Sequence, residues 1–228
     1  FNIVNQVLFA IKAEAVAEHT IRRLKEGKKV VVAFASTFES MISDLHADDG
    51  RHSLENEEIN TDYSVALLRG LESTLRYQKK VAKGKSELQI LNFDELIPEA
   101  QEEYLRIERK IKNTTTGITC SPIDIIIRKI EREGFTCSEV TGRSRKIEFT
   151  NEQGTRGRIV NRKREKANVA FAKFQNNQSD VLLINTSGST GASAHATNKG
   201  TNLKREEVKP RVMIIAQYEL NVSTEVQK

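Results

Sequence analysis

Four consecutive apolar residues, Val181, Leu182, Leu183 and Ile184, stand between Asp180 and the small, hydroxyl-bearing run that continues to Ala196. An apolar run without alternation suits a parallel strand covered on both faces, because a strand with one wet face would place a polar residue at every second position. Gly188 and Gly191 follow in a Ser/Thr-rich turn. Without a Cβ they let backbone amides approach an anion, so DVLLINTSGSTGASAHA reads as a buried strand feeding a phosphate-facing turn. An ordinary strand-to-helix turn would leave the same residues behind.

Three further segments extend the pattern. Val30 to Phe34 is a second unbroken apolar run and ends in Ala35-Ser36-Thr37, Phe135 to Val140 precedes Thr141-Gly142-Arg143, and Arg211 to Ala216 lies near the end of the chain. Helical patterns separate them. Phe1 to Gly27 carries apolar residues at Val4, Val7, Leu8, Ile11 and Ala15, with Gly27 in the capping position and no cap ahead of it, which suggests an upstream lobe. Ser121-Pro122, Asp124 and Gly134 frame a helix with Ile123, Ile126, Ile127 and Ile130 as its buried stripe. A β segment is expected at Lys146 to Phe149, and a basic helix from about Arg162 to Phe174. Strands alternating with helices predict an α/β fold with a parallel sheet and helices on both faces, whose ligands gather at the carboxyl ends of the strands.

Between the first two strands the pattern changes. Asp44 to Asp62 is acidic and polar and reads as a mobile loop without chemistry. Tyr63, Ala66, Leu67, Leu71 and Leu75 mark one helix, and Ala100, Tyr104, Ile107 and Ile111 mark another after Pro98. Residues 47–119 are therefore expected to form a mainly helical insertion in a lobe made of residues 1–46 and 120–228.

With 29% charged and 38% hydrophobic residues and no long apolar run, the 228-residue chain reads as a soluble, cytoplasmic protein. The net charge of +5 favours an anionic partner. Cys120 and Cys137 have no neighbours at metal-ligand spacing, the four histidines are scattered, and no metal is assigned. The turn lacks the Gly-Lys-Ser/Thr ending of a P-loop. Thr190-Gly191-Ala192-Ser193 echoes the cofactor turn of short-chain dehydrogenases, but it stands too late in the chain and lacks the further glycines of that fingerprint. A dehydrogenase or methyltransferase reading therefore has little support.

The wording of these segments resembles the helicase C-terminal lobe of superfamily-two helicases of the strawberry-notch type, which are Swi/Snf-like. KKVVVAFAST is similar to motif IV, EVTGR to the block after the next strand, DVLLINTSGSTGASAHA to motif V, and SPIDIIIRKIEREGF to the helix before the TGR block. ELNVSTEVQK is similar to the approach to motif VI, of which only Gln227-Lys228 is present. The resemblance implies a RecA-like lobe that grips a DNA strand, with RNA as the variant partner, and supplies half of an ATP and Mg cleft. The other half, with Walker A and Walker B, would belong to a missing N-terminal RecA-like lobe. It further implies strand-phosphate contacts at Ser36, Thr37, Thr141, Gly142, Arg143, Ser187 and Gly188, and nucleotide contacts at Gly191, Ser193 and Gln227. Arg162, Lys163, Arg164 and Lys166 are candidate DNA-phosphate contacts on charge grounds, against the alternative of a solvated basic face. Glu139, a lone carboxylate before TGR, is expected to be an ion-pair residue rather than a catalyst. ATP hydrolysis is not expected from these 228 residues alone. The competing reading is a non-catalytic nucleic-acid or protein binding module that keeps a RecA-like fold.

Overall fold

All four expected strands pair in one parallel sheet. A computed structural model describes residues 2–38, 58–82, 85–185 and 193–218. Along the chain run α1 (Asn2–Lys25), β1 (Lys29–Ala33), β2 (Glu58–Asn60), α2 (Ser64–Ser73), β3 (Arg76–Ala82), β4 (Lys85–Ile90) and α3 (Pro98–Lys112). Then follow α4 (Pro122–Arg132), β5 (Cys137–Val140), β6 (Arg145–Phe149), β7 (Arg156–Asn161), α5 (Ala167–Gln175), β8 (Val181–Ile184) and β9 (Arg211–Ile215). The main sheet has the order β5-β8-β1-β9, with Val30 beside both Val181 and Val212 and Cys137 beside Val181.

Burial on both faces explains the uninterrupted apolar runs. Val30, Val32, Val181 and Leu183 point to the layer made by α1 and α4, where Phe9, Ala13, Ile126 and Ile130 are buried. Their alternates Val31, Ala33, Leu182 and Ile184 meet Ala170, Phe171 and Phe174 of α5 on the other face. Each side chain of β1 and β8 removed from water in this way contributes on the order of 2 kcal/mol. At the strand-start end, buried Lys29 donates to the Phe174 carbonyl and lies 4.5 Å from the centre of its ring. This fastens the C-terminal end of α5 to the sheet.

The first helix forms where expected but buries a different face. Phe9, Ala10, Ala13, Val16, Ala17 and Leu24 are buried, while Val4, Leu8 and Ile11 are 61%, 49% and 55% exposed and Ala15 is also exposed. The helix carries two apolar stripes, and the one rich in alanine wins because small side chains let α1 lie close against the sheet and α4. The basic helix also starts later than expected. Arg162 to Lys166 form an extended strap, and α5 begins at Ala167.

The excursion after β1 is not all-α. It contains α2 and α3, but β3 and β4 form an antiparallel hairpin, and β2 joins β7 and β6 in a three-stranded antiparallel sheet. Leu88 and Ile90 alternate with polar residues, the period of a half-exposed strand. Nor is Asp62 part of a loop without structure. It is buried, and its carboxylate accepts hydrogen bonds from the amides of Ser64 (2.9 Å), Thr116 (3.2 Å) and Gly117 (2.8 Å) and from the Thr116 hydroxyl (3.0 Å). These bonds close the base of the excursion, where Asp62 also bridges to Thr119.

Gly157 occupies β7, the middle strand of the antiparallel sheet, where an added Cβ would lie 2.8 Å from the Glu148 carbonyl oxygen and 2.7 Å from the Ile147 side chain. Gly157→Ala is therefore expected to lower stability by about 2 kcal/mol, the cost of moving backbone to admit a methyl group. Urea denaturation measures it, and an unchanged midpoint would contradict the packing. Among the described residues no helix is long and apolar enough to cross a membrane.

Candidate nucleic-acid interface

Parallel pairing brings the carboxyl ends of β5, β8, β1 and β9 to one rim, and with them the segments that begin at Thr141, Asn185, Phe34 and Ala216. Ser36 and Thr37 lie there, half-buried. The amides of Ala35 and Ser36, which could have faced an anion, instead donate to Gln217 Oε1 at 3.2 and 2.8 Å. Gln217 is buried after β9 and donates its own amide to the Asn5 carbonyl at 3.3 Å, so one side chain ties three segments together. What Ser36 and Thr37 can offer a ligand is therefore their hydroxyls. Ser187 and Gly188, expected on this rim, and Gly191 and Gln227, expected at a nucleotide, lie outside the described residues.

Thr141 and Gly142 also lie on the rim, with Gly142 exposed and nothing within 4 Å of where its Cβ would be. Arg143 does not. Its side chain is 1% exposed, a correction to its expected place among the phosphate contacts. Arg143 Nε and Nη2 donate to the two oxygens of Glu139 at 2.7 and 2.8 Å, and Nη2 also lies 2.7 Å from Asp124 Oδ1. Burial alone would lower the guanidinium pKa, but Asp124 and Glu139 outweigh it, raise the pKa and keep Arg143 charged. With both carboxylates within reach inside the fold, turning the guanidinium outward would strand two buried anions.

The other groups of this cluster complete an almost closed network. Asp124 Oδ2 accepts from the Ser121 hydroxyl and the Ile147 amide, both at 2.7 Å. Thus Ser121 stands at the helix start but spends its hydroxyl on Asp124 rather than on a backbone amide. Thr141 donates to Glu139 Oε1. Arg162 donates to the carbonyls of Arg143 and Glu139, each at 2.9 Å, and approaches Glu139 Oε2 at 3.2 Å. Glu139 is accordingly an ion-pair residue, as expected, and Arg162 is largely committed to the same pair. Two cations face two anions, so the cluster is neutral and fixes the Thr141-Gly142 loop. Asp124 was missed as a member because a carboxylate in the first turn of a helix is explained by the helix alone.

Beyond Arg162 the cations are free of protein partners. Lys163, Arg164 and Lys166 are exposed, and among the described residues none forms an ion pair, whereas Glu165 is taken by Lys173 at 2.5 Å and Lys146 by Glu148 at 2.8 Å. They border an open groove of about 800 Å³ between α4, the edge strand β5 and the start of α5. Its lining carries three more cations than carboxylates.

Ser193 is placed elsewhere. Its carbonyl accepts from Gln175 Nε2 at 3.0 Å, and Gln175 closes α5 and also accepts from Arg211 at the start of β9. The chain at Ser193 has thus reached the strand-start end of the sheet, away from Ser36 and Thr141. This corrects its expected position beside a nucleotide, and the described residues do not fit an ATP and Mg site. No family model, curated protein or solved structure matches this chain.

Proposed function

We propose that this chain is a RecA-like lobe of the helicase type that binds the phosphates of a nucleic acid, DNA in the first instance, along the carboxyl rim of its parallel sheet. One observation carries the reading. The segments that resemble motif IV, the TGR block and motif V belong to β1, β5 and β8, which lie side by side and open onto the same rim. Hydroxyls of Ser36 and Thr37, the exposed Gly142 backbone and the exposed Arg164 are the groups available to a strand, while Arg143 and Arg162 hold the Thr141-Gly142 loop in place. Such a surface gives affinity without sequence preference, because phosphates carry no base information.

The expected result is salt-sensitive binding of a labelled single-stranded oligonucleotide by the 228-residue chain. About three neutralised phosphates give a slope near −2 for log K against log salt, so affinity should fall on the order of 50-fold between 20 and 150 mM salt. Fluorescence anisotropy checks this. Absence of binding at 20 mM salt would overturn the reading.

The position of Ser193 favours a second reading, a non-catalytic nucleic-acid or protein binding module with the same sheet. A full helicase-type motor requires that an ATP analogue compete with or strengthen oligonucleotide binding once a partner lobe is supplied. A module without an ATP role shows no such linkage.

A further inference from the structure

The N-terminus of α5 is the one place on the groove where several unused donors meet. Its N-cap residue is Lys166, which makes no capping hydrogen bond, and there is no acidic residue in its first turn. The Val169 and Ala170 amides turn back to the Lys166 carbonyl, but those of Ala167 and Asn168 have no acceptor among the described residues. Lys163, Arg164 and Lys166 therefore crowd positive charge at the positive end of a helix, an arrangement that disfavours folding unless an anion is present.

A second observation points the same way. Arg143 lines this groove, and its Nη1 is buried without a hydrogen-bond partner although the rest of its guanidinium is fully used. A donor left over in a network that otherwise satisfies itself is costly unless something outside the chain completes it. Topology aligns the two features. Helix α5 runs back along the sheet to the start of β8, its far end being fastened to Lys29, so its first turn lies at the carboxyl rim, where Arg162 also grips the end of β5.

We infer that the strap from Lys163 to Lys166 and the first turn of α5 form a phosphate-binding site at the mouth of the groove beside β5. The Ala167 and Asn168 amides would receive the phosphate oxygens, Lys163, Arg164 and Lys166 would neutralise them, and the groove behind would take the remainder of the ligand. The strap is extended over about 10 Å, long enough to follow roughly three nucleotides of one strand. The phosphate can belong to a nucleic-acid strand continuing from the rim or to a free phosphorylated small molecule. The site itself rests on the strap, and only the first of these sources rests on the function proposed above.

Two probes separate the possibilities, inorganic pyrophosphate and a 20-nucleotide single strand, each titrated into the whole ¹⁵N-labelled chain and into K163A/R164A/K166A. All three substituted side chains are exposed. Pyrophosphate should shift the Ala167 and Asn168 amides saturably in the parent chain and leave them in place in the variant. For the oligonucleotide, the variant should bind at least tenfold more weakly at 50 mM salt, with the salt slope reduced by about 2 for three lost contacts. The exposed pair K79A/K80A on the distant hairpin should change neither result. If pyrophosphate moves the two amides but the triple variant binds the oligonucleotide as tightly as the parent, the site stands and serves a small phosphorylated ligand. If neither probe touches Ala167 and Asn168 and the triple variant behaves as the parent, the site is refuted, whether or not the rim binds nucleic acid.

Discussion

Replacing Arg143 with alanine should destabilise the fold by about 3–5 kcal/mol, because it leaves Asp124 and Glu139 buried with no charge between them. The loss is not that of a surface ion pair. Both carboxylates are almost wholly removed from water, and they belong to elements that nothing else joins in this way, the first turn of α4 and the end of β5. Arg143→Lys should recover only part of the loss, since one ammonium cannot reproduce three donor contacts to two separate carboxylates. Adding Asp124→Asn and Glu139→Gln to Arg143→Met removes all three charges together and should restore stability relative to Arg143→Ala. Urea denaturation of the four proteins at pH 7 decides the matter. A midpoint for Arg143→Ala within the error of the parent would show that the guanidinium is not the clasp described here, and would return it to the candidates for ligand binding.

The second large effect is expected at Asp62. Alanine there leaves the amides of Ser64, Thr116 and Gly117 and the Thr116 hydroxyl without their acceptor, a loss of about 3 kcal/mol when charge-assisted bonds of this kind are broken in a buried setting. The contribution depends on pH in a definite direction. Burial by itself would raise the Asp62 pKa, but the hydrogen bonds from Ser64 and Thr116 prevail and hold it below the ordinary value. A carboxylate whose pKa falls on folding stabilises the fold in full above its unfolded pKa, about 3.9, and loses that contribution as pH falls through the folded value. The stability difference between the parent and Asp62→Ala should thus be constant from pH 7 to about 5 and shrink below 4. A difference that grew on acidification would contradict the assigned protonation.

The parts of the fold that were legible share a physical cause. Unbroken apolar runs such as VVVAF and VLLI can be buried only if both faces of the strand are covered, so composition and topology were the same statement there. Ser121-Pro122 and Gly134 marked α4 because each suits its backbone position, with Gly134 in the left-handed region at φ 84°. Where two solutions were chemically equivalent, the chain gave no preference. Helix α1 has two apolar stripes, and the choice between them depends on how closely a partner can approach. The β3–β4 hairpin has strands too polar to announce themselves, although the Leu88 and Ile90 alternation was present. Arg143 shows the limit most clearly, because an arginine after a strand has the same wording whether it meets solvent or two carboxylates. Glu139, four residues earlier, was the visible hint, whereas Asp124 becomes a neighbour only through the sheet. Arg162 was misplaced for a related reason, since a run of cations was counted into the helix that it precedes.

The position of β1 bears on how the molecule comes to exist at all. It is the first strand to leave the ribosome, yet it lies inside the sheet, and both of its neighbours come late: Val181 sits about 150 residues after its partner Val30, and Arg211 about 180 after Lys29. For most of synthesis the segment KVVVAF has no edge to join and nothing to cover either of its apolar faces. At ordinary elongation speeds that interval lasts on the order of ten seconds or more, long compared with the collapse of a short chain. The nascent protein must therefore shelter this strand, against α1 or in the hands of a chaperone, and its folding is gated by the delivery of its final quarter. Slowing translation between β1 and β8 should raise the aggregated fraction, while slowing it after β9 should not.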